Sequence, residues 1–407
     1  MTRTMKNSTV FLLAAALAVG LVCVDGYAWG PRSERSIAAM AMQVIQRDHP
    51  NTFTPHGGGN FSNDVLRGAN EAMSVLKGRP LMSDRETIKA IAEEIQLLRD
   101  VRDFDLSSYF GYRMGVLSTL VANVMLPYGF AWTPAEKEIQ GRVVRDVEAH
   151  LEEYRLNPNA AGLAYIADAQ LYFKTKRPFR GENMILIADD YKRGNGYDGV
   201  LDQLAPEAFE KSVRGVADAW HTVLVAQPVV PKQPTARPVL TQYFVNEVDY
   251  LLNVKKNYFR ANKVYANFRR VNPNMTSAYS QLGDMYYEFG TSENMQEAIE
   301  RGVREWQVAH SLGGDGHRET ARKLAAHYLQ TGRGHLARGQ EKGSDNKELP
   351  TAMEMFKTAL KYDPANRAAP SLIEETQVQV KKRDERLKTV MNIIAKGDEV
   401  REEARKL

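Results

Sequence analysis

The chain has 407 residues, 43% of them hydrophobic and 26% charged, which is enough apolar material for two globular domains and argues against a disordered chain. Its formal net charge of +4 is spread along the sequence without a basic stripe, so nucleic acid is not an expected partner. A single cysteine leaves no disulfide framework.

Residues 1–28 read as a secretory signal. Arg3 and Lys6 supply a positive start, and Val10 to Val24 is an apolar run too short to span a membrane. Small residues at Gly26 and Ala28 place cleavage after Ala28, so the expected location is periplasmic or secreted. Cys23 follows Val22, where a lipoprotein site would need a small residue. The mature chain would then have no cysteine and no thiolate metal site.

The first domain is expected over 29–226. Ser33 to Gln46 carries Ile37, Met40, Ala41, Val44 and Ile45 on one helical face. Ser83 and Glu86 form a capping box that opens a helix over 84–101. Tyr109 to Met125 is apolar on all sides and predicts a buried core helix that Pro127 ends. Pro134 and Pro206 are read as starts of the next helices, to about Tyr154 and 225. The Gly57–Gly59 stretch and 192–198 are read as loops. Residues 227–238, with four prolines, are read as an extended linker to a second domain over 239–407.

That second domain carries a fixed spacing. Ala261, Tyr265, Phe268 and Pro273 recur as Gly302, Trp306, Ala309 and Gly314, and again as Ala352, Phe356, Ala359 and Pro364. Leu282-Gly283 with Tyr286, and Leu324-Ala325 with Tyr328, follow the first and second sets. A small residue admits a close helix, a large one fills the gap, and proline stops the segment. This pattern resembles the tetratricopeptide repeat over roughly 240–365, although Gly302 and Gly314 depart from it. The repeats are longer than the usual period of about 34 residues. Loops at 290–297 and 331–348 are expected to absorb the excess, and a helix over 365–407, broken near Gly397, is expected to cap the array. The resemblance implies a helical array that binds a protein partner.

The beginning of the first domain, WGPRSERSIAAMAMQVI, resembles the zinc-dependent phospholipase C and single-strand nuclease superfamily. In that family the leading tryptophan binds zinc through its amine and carbonyl, and a histidine stands where this chain has Glu34. Arg35, Ile37 and Ala38 match the family pattern. The buried helix of the family carries further ligands whose register falls on Thr119, Asn123 and Gly129, with Pro127 in its place. Each ligand is replaced by a weak donor or by none. The resemblance thus implies an all-helical phospholipase C-like domain without the trinuclear zinc centre. Relic metal positions would be Trp29, Glu34 and Asp64, with His150 and Glu153 as a displaced pair. His49 and His56 are read as surface residues, and Arg177, Arg180 and Lys174 around Phe173 and Phe179 as an exposed basic loop. No nucleophile elbow, phosphate loop or HExxH is present.

The expectation is therefore an all-α protein in two parts, a phospholipase C-like helical domain followed by a tetratricopeptide-like array. Its expected function is that of an exported, non-catalytic adaptor without a cofactor. The alternative is a divergent zinc-dependent phosphodiesterase. A membrane surface is possible in principle but nothing in the sequence signals it.

Overall fold

The computed structural model describes residues 29–48, 50, 61–76, 83–104, 106–129, 131, 133–156, 162–177, 180–224, 234–314, 316–341 and 347–406. Among these the protein is all-α, with no strand. The chain divides into two compact units, 1–236 and 237–407. No helix among the described residues is long and apolar enough to cross a membrane.

The first unit contains α1 (Pro31–Asp48), α2 (Phe61–Leu76), α3 (Asp84–Val101), α4 (Ser108–Met125), α5 (Pro134–Ala149), α6 (Ala169–Lys176), α7 (Arg180–Arg193) and α8 (Leu201–Leu224). Every residue of α4 is buried except the half-buried Arg113, because α1, α2, α3 and α8 all pack around it. A helix enclosed on all sides needs no polar face, which explains its unbroken apolar sequence. The guanidinium of Arg113 is held in this setting by Glu94 on α3, with Nε donating to Oε1 at 2.9 Å. Ser83 caps α3 by accepting from the Glu86 N–H. Thr133 and Glu136 form a reciprocal capping box that opens α5 at Pro134.

Pro206 does not start its helix. α8 begins at Leu201 and carries the proline inside it, where the missing donor forfeits only the bond to the Asp202 carbonyl. The 192–198 stretch is likewise less loop than expected, since α7 reaches Arg193 and a 3₁₀ turn covers Gly196–Asp198.

The second unit contains α9 (Arg237–Asp249), a π turn at Tyr250–Val254, α10 (Tyr258–Val271), α11 (Thr276–Ser292), α12 (Gln296–Leu312), α13 (His317–Gln340), α14 (Glu348–Tyr362) and α15 (Ala368–Lys406). Consecutive helices pair as α9 with α10, α11 with α12 and α13 with α14, and α15 covers α14. α9 takes in Arg237 and Pro238, the last two residues of the expected linker. Proline is tolerated there because a first-turn N–H has no helical partner in any case.

Two further expectations fail. The 331–348 stretch is not mainly a loop, since α13 continues to Gln340, and much of the extra repeat length is extra helix. α15 runs without a break through Gly397; a solvent-facing glycine lowers helix stability by about 1 kcal/mol and need not interrupt it.

Candidate functional site

The repeat positions lie on the inner faces of the second unit. Ala261, Leu282, Ala309, Leu324, Ala352, Phe356 and Ala359 are buried, as are Tyr265, Gly283, Tyr286 and Trp306, while Tyr328 is half-buried. Gly302 is the close-approach point between α11 and α12. A Cβ there would stand 2.7 Å from the Gly283 carbonyl oxygen and 2.7 Å from the Tyr287 nitrogen. A departure from the repeat pattern at the sequence level is thus a packing requirement in the fold.

Beside this core runs a ladder of rings that the spacing did not single out as a surface. Tyr287 on α11 packs on Trp306 with centroids 4.7 Å apart, and on His327 of α13 at 5.5 Å. Tyr328 of α13 stacks on Tyr362 of α14 at 5.8 Å, nearly parallel. His310 of α12 meets Tyr362 edge-on at 5.1 Å and stacks on His317 at 4.0 Å. The inner edges of Tyr287, Tyr328 and Tyr362 rest on a cluster of Val303, Trp306 and Leu324. Their outer parts reach solvent, as do His310 and His317. Gln307 donates to the Tyr328 hydroxyl at 2.9 Å, and the Asp284 carboxylate accepts from both Trp306 Nε1 at 2.9 Å and Lys323 Nζ at 2.8 Å. Desolvation holds His327 below its ordinary pKa, and desolvation with the His317 neighbour does the same for His310. Rigid amphipathic rings with fixed polar ends are what protein interfaces use as anchors.

The first unit brings some of the expected metal positions together. Trp29 is 2% exposed, and its indole Nε1 donates to the Ala122 carbonyl at 2.9 Å. Glu34, also buried, accepts from Asn123 Nδ2 at 3.4 Å. Burial, opposed by that hydrogen bond and reinforced by Glu148, pushes the Glu34 carboxyl up to about 8. Glu148 lies beside Gly30 and accepts from the Ser33 N–H at 2.7 Å. Sequence reading missed Glu148 because nothing in its own segment distinguishes it; only the fold of α5 against the start of α1 reveals it. Thr119 points elsewhere, donating to the Ala69 carbonyl of α2 at 3.1 Å. Asp64 is buried in the first turn of α2. At Gly129 a Cβ would fall 1.5 Å from the Asn123 carbonyl oxygen, so the backbone itself excludes any side chain.

His150 stacks flat on Tyr197 at 3.7 Å, its Nδ1 lies 2.8 Å from the Asp146 carbonyl, and Glu153 is exposed. Among the described residues no group of three or more His, Cys, Asp or Glu is placed to hold a metal ion. Arg177 is not part of a free basic loop, since its Nη1 pairs with Asp84 Oδ2 at 2.5 Å, and Phe173 is core. The signal segment, His49, His56, the glycine run at 57–59 and Phe179 lie outside the described residues, and nothing is described of the Arg180 side chain.

Comparison with known proteins returns no match: no protein-family model, curated protein or solved structure matches the chain.

Proposed function

We propose that this chain is an exported, non-catalytic adaptor whose second unit binds a protein partner. The observation that carries the reading is the ladder Tyr287–His327–Tyr328–Tyr362–His310–His317, half-exposed rings drawn from four helices and anchored on one apolar cluster. Its rings lose little rotamer freedom on binding, and their hydroxyls and ring nitrogens give direction to an otherwise apolar contact. The first unit is a structural or binding module. Supporting this, Glu34 and Asn123 face each other inside the core, Thr119 is committed to α2, and Gly129 has no room for a ligand side chain. Export follows from the expected signal at 1–28.

The adaptor reading is tested by affinity capture from an envelope extract, comparing the intact chain with Tyr328→Ser/Tyr362→Ser. A specific partner retained by the first and lost by the second, with both proteins folded, supports it. Equal capture by both removes the ladder as the docking surface. Elemental analysis tests the first unit. Less than one tightly held zinc per chain is expected, whereas two or three zinc ions with chelator-sensitive phosphodiesterase activity would replace this reading by the metallohydrolase. Mass spectrometry of the exported protein should find Trp29 at its N-terminus, and a lipidated Cys23 would place it on a membrane instead.

A further inference from the structure

The chain between α7 and α8 is wound around one residue, Asp190. Its Oδ1 accepts from the Asn195 side-chain amide at 3.0 Å and its Oδ2 from the Val200 N–H at 2.8 Å, while its carbonyl accepts from the Asn195 N–H at 2.9 Å. The same carboxylate lies against Gly199 and leaves no room there for a Cβ. The Val200 N–H, and after it the Asn195 amide, hold the Asp190 carboxyl below its ordinary pKa. The chain reverses on Gly194 at φ +88° and Gly196 at φ +56°, conformations that side chains rarely adopt. Just beyond, Tyr197 is buried, stacks flat on His150 and donates from its hydroxyl to that of Tyr154 at 3.2 Å. The loop is thus held at Asp190 and at Tyr197, with Asn195 exposed between them.

Asn195-Gly196 is the one Asn-Gly step in the chain. Glycine has no side chain to shield its nitrogen, which can therefore approach the amide carbon of the residue before it. We propose that Asn195 is a site of spontaneous deamidation, and that its conversion unlatches the loop from Asp190. The Gly196 nitrogen loses its proton to solvent and bonds to Asn195 Cγ. The Cγ–Nδ2 bond breaks, and the leaving nitrogen takes a proton back from solvent and departs as ammonia, so that a five-membered imide is closed. Water then adds to one imide carbonyl and breaks its bond to the ring nitrogen. Opening at Cγ leaves aspartate; opening at the backbone carbonyl leaves isoaspartate, with the chain running through the former side chain. Aspartate replaces the donor to Asp190 with a second carboxylate, like charge facing like. Isoaspartate lengthens the backbone by one atom between two glycines whose φ angles the turn has set. Before the reaction Asp190 acts as a restraint, because an amide bonded to its carboxylate is not free to swing onto Gly196.

The test is peptide mass mapping of the full chain during incubation in mildly alkaline buffer, which favours loss of the Gly196 proton. The tryptic peptide 194–211 holds no asparagine besides Asn195. It should gain one mass unit faster than peptides carrying the other asparagines, and part of the product should be methylated by isoaspartyl methyltransferase. Asp190→Ala should speed the gain several-fold. If that variant does not fold, the wild-type chain unfolded in urea is the unrestrained reference and should react faster than the folded chain. Asn195→Asp should lower the thermal unfolding midpoint of the first unit. A peptide 194–211 that keeps its mass while other asparagines change overturns the proposal. A rate indifferent both to Asp190→Ala and to unfolding overturns the restraint, and an unchanged midpoint for Asn195→Asp overturns the unlatching.

Discussion

The indole of Trp306 lies on the backbone of Gly283: a Cβ on that glycine would be 2.2 Å from Trp306 Cδ1. The ring is oriented by its hydrogen bond to Asp284 and capped by Tyr287. Sequence, packing and surface meet here, since the Leu-Gly pair of one helix accepts the large residue of the next and that residue supports the ladder. Gly283→Ala should therefore destabilise the second unit by about 1–3 kcal/mol through overpacking. Trp306→Ala should cost about 3–5 kcal/mol by removing a large buried ring. Denaturant unfolding monitored on the full chain should show the transition of the second unit moving while that of the first stays in place. An unchanged midpoint for Gly283→Ala would mean that the two helices do not make this contact.

Ala352 tests the same logic one repeat on. It is fully buried in the cluster with Leu336, Leu349 and Phe356. Ala352→Trp should destabilise the second unit by about 1–3 kcal/mol or more. If the helix pairs couple chiefly to their neighbours, as in a repeat array, the loss should spread from one pair to the next. Hydrogen exchange should report faster opening in α13 and α14 before α9.

Placing a histidine at Gly129 should not create a metal site. With 1.5 Å between a Cβ and the Asn123 carbonyl oxygen, the chain after α4 must move to accept any side chain. Gly129→His should lower the stability of the first unit by at least about 2 kcal/mol, in the range of a severe steric change. Zinc titration by calorimetry checks the other half of the statement; tight binding by this variant would show that the segment readily rearranges.

Glu34 makes the first unit sensitive to alkali. Its folded pKa of about 8 lies above its ordinary 4.5, so the folded state holds the proton more tightly than the unfolded one. Its favourable contribution is complete below about pH 4.5 and is lost progressively as pH rises through about 8. Glu34→Gln keeps the shape and removes the titration. At pH 7 it should raise stability by about 3 kcal/mol, and near pH 4.5 it should change little. Thermal unfolding of both proteins across that range checks the sign; parallel pH profiles would show that Glu34 is not desolvated.

Much of this architecture was legible because period and punctuation are local. α4 announced itself by its length of uninterrupted apolar residues, and the 4, 3 and 5 spacing of the repeats marked faces that are buried. Other features depend on long-range contact and were not legible. α6 and α7 have weak amphipathic patterns, with Leu171, Ile185 and Leu186 exposed, so no clear stripe signals them. Pro206 reads as a start because a proline is cheap at the first turn, yet the five preceding residues were already helical. Tyr362 belongs to no repeat slot; only the stacking of α13 against α14 brings it onto Tyr328. In the first unit the weak or missing donors at Thr119, Asn123 and Gly129 could be read from residue types. That the chain itself closes over Asn123 could not.

The length of α15 has a mechanical consequence. Its base is gripped around Ala369, Thr376 and Val380, while Glu402 stands more than twenty residues further on. That distance is about 30 Å of stiff rod at 1.5 Å per residue. A tilt of only about 10° at the Phe356 cluster would sweep the far end through about 5 Å, the rise of one helical turn. α15 is thus placed as a lever: with about 16 Å of grip from Ala369 to Val380, repacking of about 1 Å among Leu336, Leu349 and Phe356 would shift its tip by about 2 Å.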